Sequence, residues 1–436
     1  ARYHALLGEE TRLLSGGDEN ALKNVQAAEK AGIPIQQFVD TNTQIFFELT
    51  RALNCRFDVW QKGSDTVHHF TASQKLWELC KKDIFKKSYE GLYCVGCEQF
   101  YTKDELDTNG QCFEHPGKKL EMVKEENYFF RLSKYQEQLI KLITEDTIKI
   151  IPEFRKNEML SFLKQPLLDI SISRSNERAK NWGVPVPGDD TQRMYVWFDA
   201  LNIYQSGIGF GWDEKQYKKW WPADVHVIGK GITRFHAIYW PAFLLSAGLK
   251  LPKSIFVHGY FTVNGQKMSK SVGNVIDPFA LIKKYGVDSI RYYFLREIPS
   301  TSDGDFSESR FKELYNADLA NGLGNLTARI AKLCELNNIK VSETSTPFSS
   351  IDHLAHYEFS LALEEIWKDV KKLDVGINTD KPWETKDVKK IQHYVKQLKH
   401  IAVALQPFLP GTAKKILDQC KGPTIKSAAP LFPRLT

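Results

Sequence analysis

The chain has 436 residues, 42% of them hydrophobic and 26% charged, with a formal charge of +6. That composition excludes disordered and fibrous classes, and the length exceeds one ordinary core, so roughly two to four domains are expected. The mild basic excess permits an anionic partner such as a nucleic acid without requiring one.

The seven cysteines (Cys55, Cys80, Cys94, Cys97, Cys112, Cys334 and Cys420) are an odd, sparse set, which argues against a disulfide scaffold. Three of them fall in one short window and suggest a metal. The longest apolar run, 237–249, is interrupted by Pro241 and is too short to span a bilayer. No charged-then-apolar leader opens the chain, so a cytoplasmic enzyme is the default expectation.

In chain order, 1–10 reads as the last turns of a helix stopped at Gly8, as if a segment preceded it. The stretches 25–31 and 35–53 read as helices, the second opened by Pro34. Between 89 and 125 the chain is rich in Gly, Cys, Pro and charged turns, which suggests an inserted module. Helix resumes over 127–143. A turn-rich loop, 185–191, precedes Tyr195-Val196-Trp197-Phe198, which reads as a buried strand. Another short strand at 225–228 is followed by Gly229-Lys230-Gly231 and a helix over 234–247. Further strands are expected at 255–257 and 260–263. Strands alternating with helices imply an α/β layer with a parallel sheet, which binds ligands at the C-terminal ends of its strands. Beyond 311 the pattern is helical (311–335, 353–373, 385–405 and 411–419), with a polar connector over 336–350.

Two patterns carry chemistry. Lys267-Met268-Ser269-Lys270-Ser271 follows a glycine turn, two expected strands and His258-Gly259-Tyr260. Alone it reads as a solvated turn. In that setting it reads as a cationic, hydrogen-bonding hook for the charge that builds on a leaving pyrophosphate. Cys94-x-x-Cys97 with Cys112-x-x-His115 has the paired spacing of a tetrahedral zinc site, or of a knuckle that has lost its metal.

The pentapeptide is the signature of class I aminoacyl-tRNA synthetases, and its surroundings resemble methionyl-tRNA synthetases. Phe256-Val-His-Gly-Tyr260, Thr262-Val-Asn-Gly-Gln-Lys-Met-Ser-Lys-Ser271, Gly273-Asn-Val-Ile-Asp-Pro278, Tyr195-Val-Trp-Phe-Asp-Ala200 and Phe235-His-Ala-Ile-Tyr-Trp-Pro241 carry the likeness. It continues through Asp288-Ser-Ile-Arg-Tyr-Tyr293 and Asn316-Ala-Asp318, over nearly the whole chain. The resemblance implies an α/β fold with a Rossmann-type parallel sheet (1–69 and 193–260). A connective insertion with a zinc knuckle (70–192) interrupts it. A lysine-loop segment (261–310) and an all-α anticodon-binding helix bundle (311–436) follow. It also implies activation of L-methionine by ATP, accompanied by Mg2+, and transfer of the methionyl group to tRNA(Met).

Site residues follow by the same resemblance. Trp197, Ala200, Tyr204, Ile232, His236 and Trp240 would form the methionine pocket, and Asp18 would hold the ammonium group. A thioether suits such an apolar, ring-lined slot. Singly, the two tryptophans and His236 would pass for ordinary core, and Asp18 for a helix cap. Gly229, Lys230, Gly231, His258, Gly259 and Lys270 would face ATP. Lys267, Ser269, Lys270 and Ser271 would act in catalysis. Cys94, Cys97, Cys112 and His115 would hold structural zinc. Asn325 and Arg329, one turn apart on a helix, would read the anticodon with Pro382 and Trp383; otherwise Trp383 would cap the bundle core.

The sequence departs from the family's pattern at Gly17, Asn20, Ala21 and Gly231. These departures keep two other readings open: a catalytically impaired, synthetase-derived tRNA-binding protein, and a sister synthetase for another apolar amino acid. A His-Ile-Gly-His-like phosphate motif and its strand are expected upstream of the chain. The nearby pair His68-His69 lies past Asp18 and reads as loop.

Overall fold

In a computed structural model the described residues are all except 95–98, 102–104, 113–116, 118–119, 269–272, 342–345 and 436, with the side chains of Tyr89, Gln99 and Phe100 also set aside. The chain divides into two compact units: Arg12–Thr50 with Arg56–His258, and Ala1–Thr11 with Arg51–Cys55 and Gly259–Thr436.

The first unit is built on parallel pairs. Strand Leu14–Gly17 pairs with Val59–Lys62, Leu14 opposite Val59 and Gly17 opposite Lys62. Ser254–His258 lies between His226–Gly229 and Lys149–Ile151, parallel to both. Parallel neighbours need crossovers, which the helices starting at Leu22 and Ile35 and the helix Trp240–Ala247 supply. Close approach selects glycine at Gly16, where a Cβ would lie 2.2 Å from the Gln61 carbonyl oxygen. The core is aromatic: Phe198 meets Trp77 at 5.4 Å and Phe243 at 4.8 Å, and Phe130 meets Phe243 edge-on at 4.9 Å.

Two expectations are corrected here. The helix expected over 127–143 begins only at Gln136, because strand Glu121–Phe130 runs antiparallel to Ile84–Cys94 from Ile84 opposite Phe130 to Tyr93 opposite Glu121. The loop-rich segment therefore hangs from a long hairpin. Tyr195-Val196-Trp197-Phe198 is not a strand: the strand Asp189–Met194 stops first, and Val196–Ala200 is helical. Turning there buries Phe198 in the core and leaves Trp197 half-buried.

The helix expected over 234–247 is present with a wide opening turn. Phe235–Tyr239 is π-helical and Trp240–Ala247 α-helical. Pro241, at the junction, has no N–H to close an ordinary turn.

In the second unit, Phe261–Val263 pairs in parallel with Gly304–Phe306. Helices follow: Val287–Arg296, Glu308–Leu314, the π-helical Tyr315–Gly324, Asn325–Leu336, Phe359–Asp380, Val388–Leu405 and Pro410–Gln419. Their shared core includes Leu323, Leu326, Ile330, Leu363, Ile377, Ile391, Leu398 and Leu405. Asp288 accepts the backbone N–H of Thr412, which sets a carboxylate at the positive end of Pro410–Gln419. No described helix is long and apolar enough to cross a membrane.

Candidate active site

The strands of the first unit end where a parallel sheet binds ligands. Gly229 stands opposite His258 at the ends of their strands, and Gly17 ends its own. Asp18 follows at once and is exposed. Its neighbour Glu19 is buried, with a carboxylate that accepts the Ser64 N–H at 2.9 Å and the Ser64 and Thr43 hydroxyls. Trp182 Nε1 donates to the Glu19 carbonyl at 2.9 Å. Glu19 thus anchors the loop from inside while Asp18 faces outward, its carboxylate 4.0 Å from Lys23 Nζ. Asp18 is not the helix cap: Ala21 occupies the N-cap of Leu22–Ala31, without a side-chain cap bond.

Beyond this loop Trp197, Tyr204, Ile232, His236 and Trp240 gather around a ring-lined slot. Trp197 stacks on Phe235, centroids 3.8 Å apart and planes 11° from parallel. Tyr204 stacks on His226 at 4.1 Å and bonds His236 Nε2 at 2.7 Å. His236 Nδ1 lies 3.0 Å from the Ile232 carbonyl. A carbonyl only accepts, so Nδ1 carries the proton and Nε2 takes the one offered by the Tyr204 hydroxyl. Burial pushes the His236 imidazolium down to about 4, against the opposing pull of the Ile232 carbonyl, so the ring is neutral near pH 7. Trp240 is fully buried, edge-on to Trp221, and Ala200 packs against the cluster of Ala21, Tyr195 and Val196. The slot is thus apolar and aromatic, with one oriented polar relay.

Behind it lies a polar network that sequence reasoning missed. Asn20 Nδ2 donates to the buried Asp199 carboxylate and, at 2.8 Å, to the Gly63 carbonyl. His69 is not a loop residue: it opens helix His69–Cys80, is fully buried, lies 3.6 Å from Asp199 Oδ2 and bonds Ser206 Oγ at 2.8 Å. Asn20 therefore ties the Asp18 loop to the helix that carries Trp197. The only local signal was a polar run, Asp18-Glu19-Asn20, directly after a strand.

Lys230 and Gly231 form a 3-10 turn after the strand, fixed by Thr233 Oγ1 donating to the Lys230 carbonyl at 2.8 Å. His258 ends its strand exposed. In the other unit, a Cβ on Gly259 would fall 2.2 Å from Ser302, so no larger residue fits. There Asn264 and Gly265, with φ of 51° and 73°, turn the chain toward the exposed Lys267. Ser269, Lys270 and Ser271 lie outside the described residues.

In the helical unit, Asn325 and Arg329 share the helix Asn325–Leu336. The Arg329 guanidinium sits 6.0 Å from the Trp383 ring centroid, bonded to Asp374 and, at 2.6 Å, to Asn378. Pro382 is buried and Trp383 is 45% exposed, which leaves its ring open to a partner. The two acceptors on Phe359–Asp380 carried no sequence signal.

Cys94 and Cys112 are buried, and Cys112 Sγ lies 3.4 Å from the Tyr101 hydroxyl. Their partners Cys97 and His115 lie outside the described residues. Among the described residues no three potential ligands cluster.

A family model described as tRNA synthetases class I (M) matches residues 1–331. The chain is 41% identical to the methionine–tRNA ligase of Thermotoga maritima, over 88% of this chain and 63% of that one. It is 40% identical to the methionine–tRNA ligase of Mesorhizobium japonicum, over 98% of this chain and 87% of that one. Among solved structures, Mycobacterium tuberculosis methionyl-tRNA synthetase bound by methionyl-adenylate superposes with a TM-score of 0.91 at 34% identity, covering 99% of this chain and 94% of that one. Aromatic slot, parallel-sheet architecture and helical C-terminal region are thus those of a class I synthetase, and the chain belongs to the methionine–tRNA ligase family.

Proposed function

We propose that this chain's slot takes L-methionine, for activation by ATP to methionyl-adenylate and transfer to the 3' end of tRNA(Met). The observation that carries the reading is the oriented relay from Tyr204 through His236 to the Ile232 carbonyl, set among Trp197, Phe235 and Trp240. Aromatic faces suit a polarisable thioether, and a neutral imidazole places no charge against it. Asp18, exposed at the loop tip, would meet the ammonium group.

Gly229, Lys230, Gly231, His258 and Gly259 would line the ATP side, with Mg2+ accompanying the nucleotide. Lys267, Ser269, Lys270 and Ser271 would stabilise charge on the departing pyrophosphate. Cys94, Cys97, Cys112 and His115 would hold one zinc in a closed site, whose chemistry is structural because no position is left for substrate. Asn325, Arg329, Pro382 and Trp383 would contact the anticodon, the tryptophan by stacking a base. The divisions 1–69, 70–192, 193–260, 261–310 and 311–436 would be the corresponding modules. Methionine-dependent ATP–pyrophosphate exchange, run against a panel of apolar amino acids, tests the reading. Preference for an amino acid other than methionine would overturn it.

A further inference from the structure

Arg234 lies just before Phe235 and His236, the two residues that the π-helical turn offers to the slot. Its guanidinium meets Glu105 at 3.2 Å. It also lies over the Phe162 ring, 4.1 Å from the centroid, and against the Tyr239 hydroxyl. Glu105 belongs to the segment between the hairpin strands Ile84–Cys94 and Glu121–Phe130, and Phe162 ends the helix Glu153–Phe162. One side chain at the base of the slot therefore touches two separate parts of the insertion. The slot wall has no such support from its own helix alone: Pro241 interrupts the ordinary hydrogen-bond ladder just downstream.

We propose that Arg234, paired with Glu105, is a positioning residue through which the insertion sets the place of Phe235 and His236. A shift of Arg234 would move Phe235 off the Trp197 face and His236 off Tyr204. The insertion would then tune the amino-acid site without touching the amino acid. This inference rests on the assignment of the slot to methionine.

The pair is open to a charge-swap test, because the two side chains are 30% and 33% exposed and reversal is not forced into the core. Calorimetric titration with L-methionine and, separately, with ATP is run on the parent chain, Glu105→Arg, Arg234→Glu and the double variant. Each single reversal is expected to weaken methionine binding about tenfold, leaving ATP within about twofold. The double variant is expected to return to within about threefold of the parent, which mere loss of structure would not do. Glu105→Gln keeps shape and removes charge, with an expected loss of about threefold, and serves where a reversal fails to fold. Folded variants that bind methionine like the parent, or a double variant no better than the worse single, would overturn the inference and leave the slot assignment standing. A parent chain that takes up no methionine would instead overturn the assignment itself.

Discussion

Tyr204 gives its hydroxyl proton to His236 Nε2 across 2.7 Å, and His236 passes its other proton to the Ile232 carbonyl. The relay has one direction only. Tyr204→Phe removes its first donor and leaves a buried ring nitrogen without a partner. Such a group costs about 1–3 kcal/mol. The variant is expected to lose stability on that scale in denaturant unfolding and to bind methionine more weakly. Unchanged values for both would mean that the hydroxyl contributes nothing to the slot.

The same imidazole makes stability depend on pH. Its folded value, about 4, lies below the ordinary 6.5, so between those values the unfolded chain binds the extra proton. Stability therefore rises with pH through this window and is lost as pH falls from 6.5 toward 4. The contribution is about 3 kcal/mol at full extent. His226, also held well below its ordinary value by burial and then by His236, acts in the same direction. Denaturant midpoints measured from pH 7 to pH 4 should fall, and His236→Gln should flatten the slope. A slope unaltered by the substitution would remove His236 from the account.

Lys270→Ala is expected to slow adenylate formation far more than it weakens methionine binding, because the lysine is assigned to charge that develops only in the transition state. The loss should be on the order of 10²–10³-fold in kcat. Exchange kinetics on an enzyme active in the assay decide it. A normal kcat would take Lys270 out of the chemistry.

The sequence made some parts of this protein legible and hid others for definite reasons. The strand and turn around His226–Gly229 were visible because an apolar run ended in glycine. Tyr195-Val196-Trp197-Phe198 was misread because four apolar residues fit a buried strand or a buried helix equally well. Glu121–Phe130 was hidden by its helix-forming Glu and Lys residues; pairing with Ile84–Cys94, a contact distant in sequence, overrides that local preference. The slot residues were found through family motifs. Asp199 and His69, which support the slot, are polar side chains of helices whose burial nothing local announces. Asp374 and Asn378 escaped notice likewise, since acceptors for Arg329 come from a helix far along the chain.

Trp383→Ala is expected to damage tRNA charging and to spare adenylate formation. Losing one stacked base should weaken tRNA binding by roughly 1–3 kcal/mol. Filter binding and charging assays with tRNA(Met) read this directly. Normal charging would reduce Trp383 to a packing residue beside Arg329.

Elemental analysis of protein purified without chelator should find one zinc per chain, by the filled tetrahedral set of four ligands. Cys112→Ser should reduce that content and loosen the hairpin below it. A folded protein with almost no zinc would show that the knuckle is vestigial.

The wide turn at Phe235–Tyr239 makes this stretch sensitive to length in a way that its composition does not reveal. A π-turn accommodates one residue more than its α-helical counterpart. Deleting a single residue there would let the turn tighten and swing everything beyond it by about 100° around the helix axis. Trp240 would leave its place against Trp221 while His236 stayed behind. The segment works as a spacer gauge: side chains on its outer face can change, but the number of residues cannot.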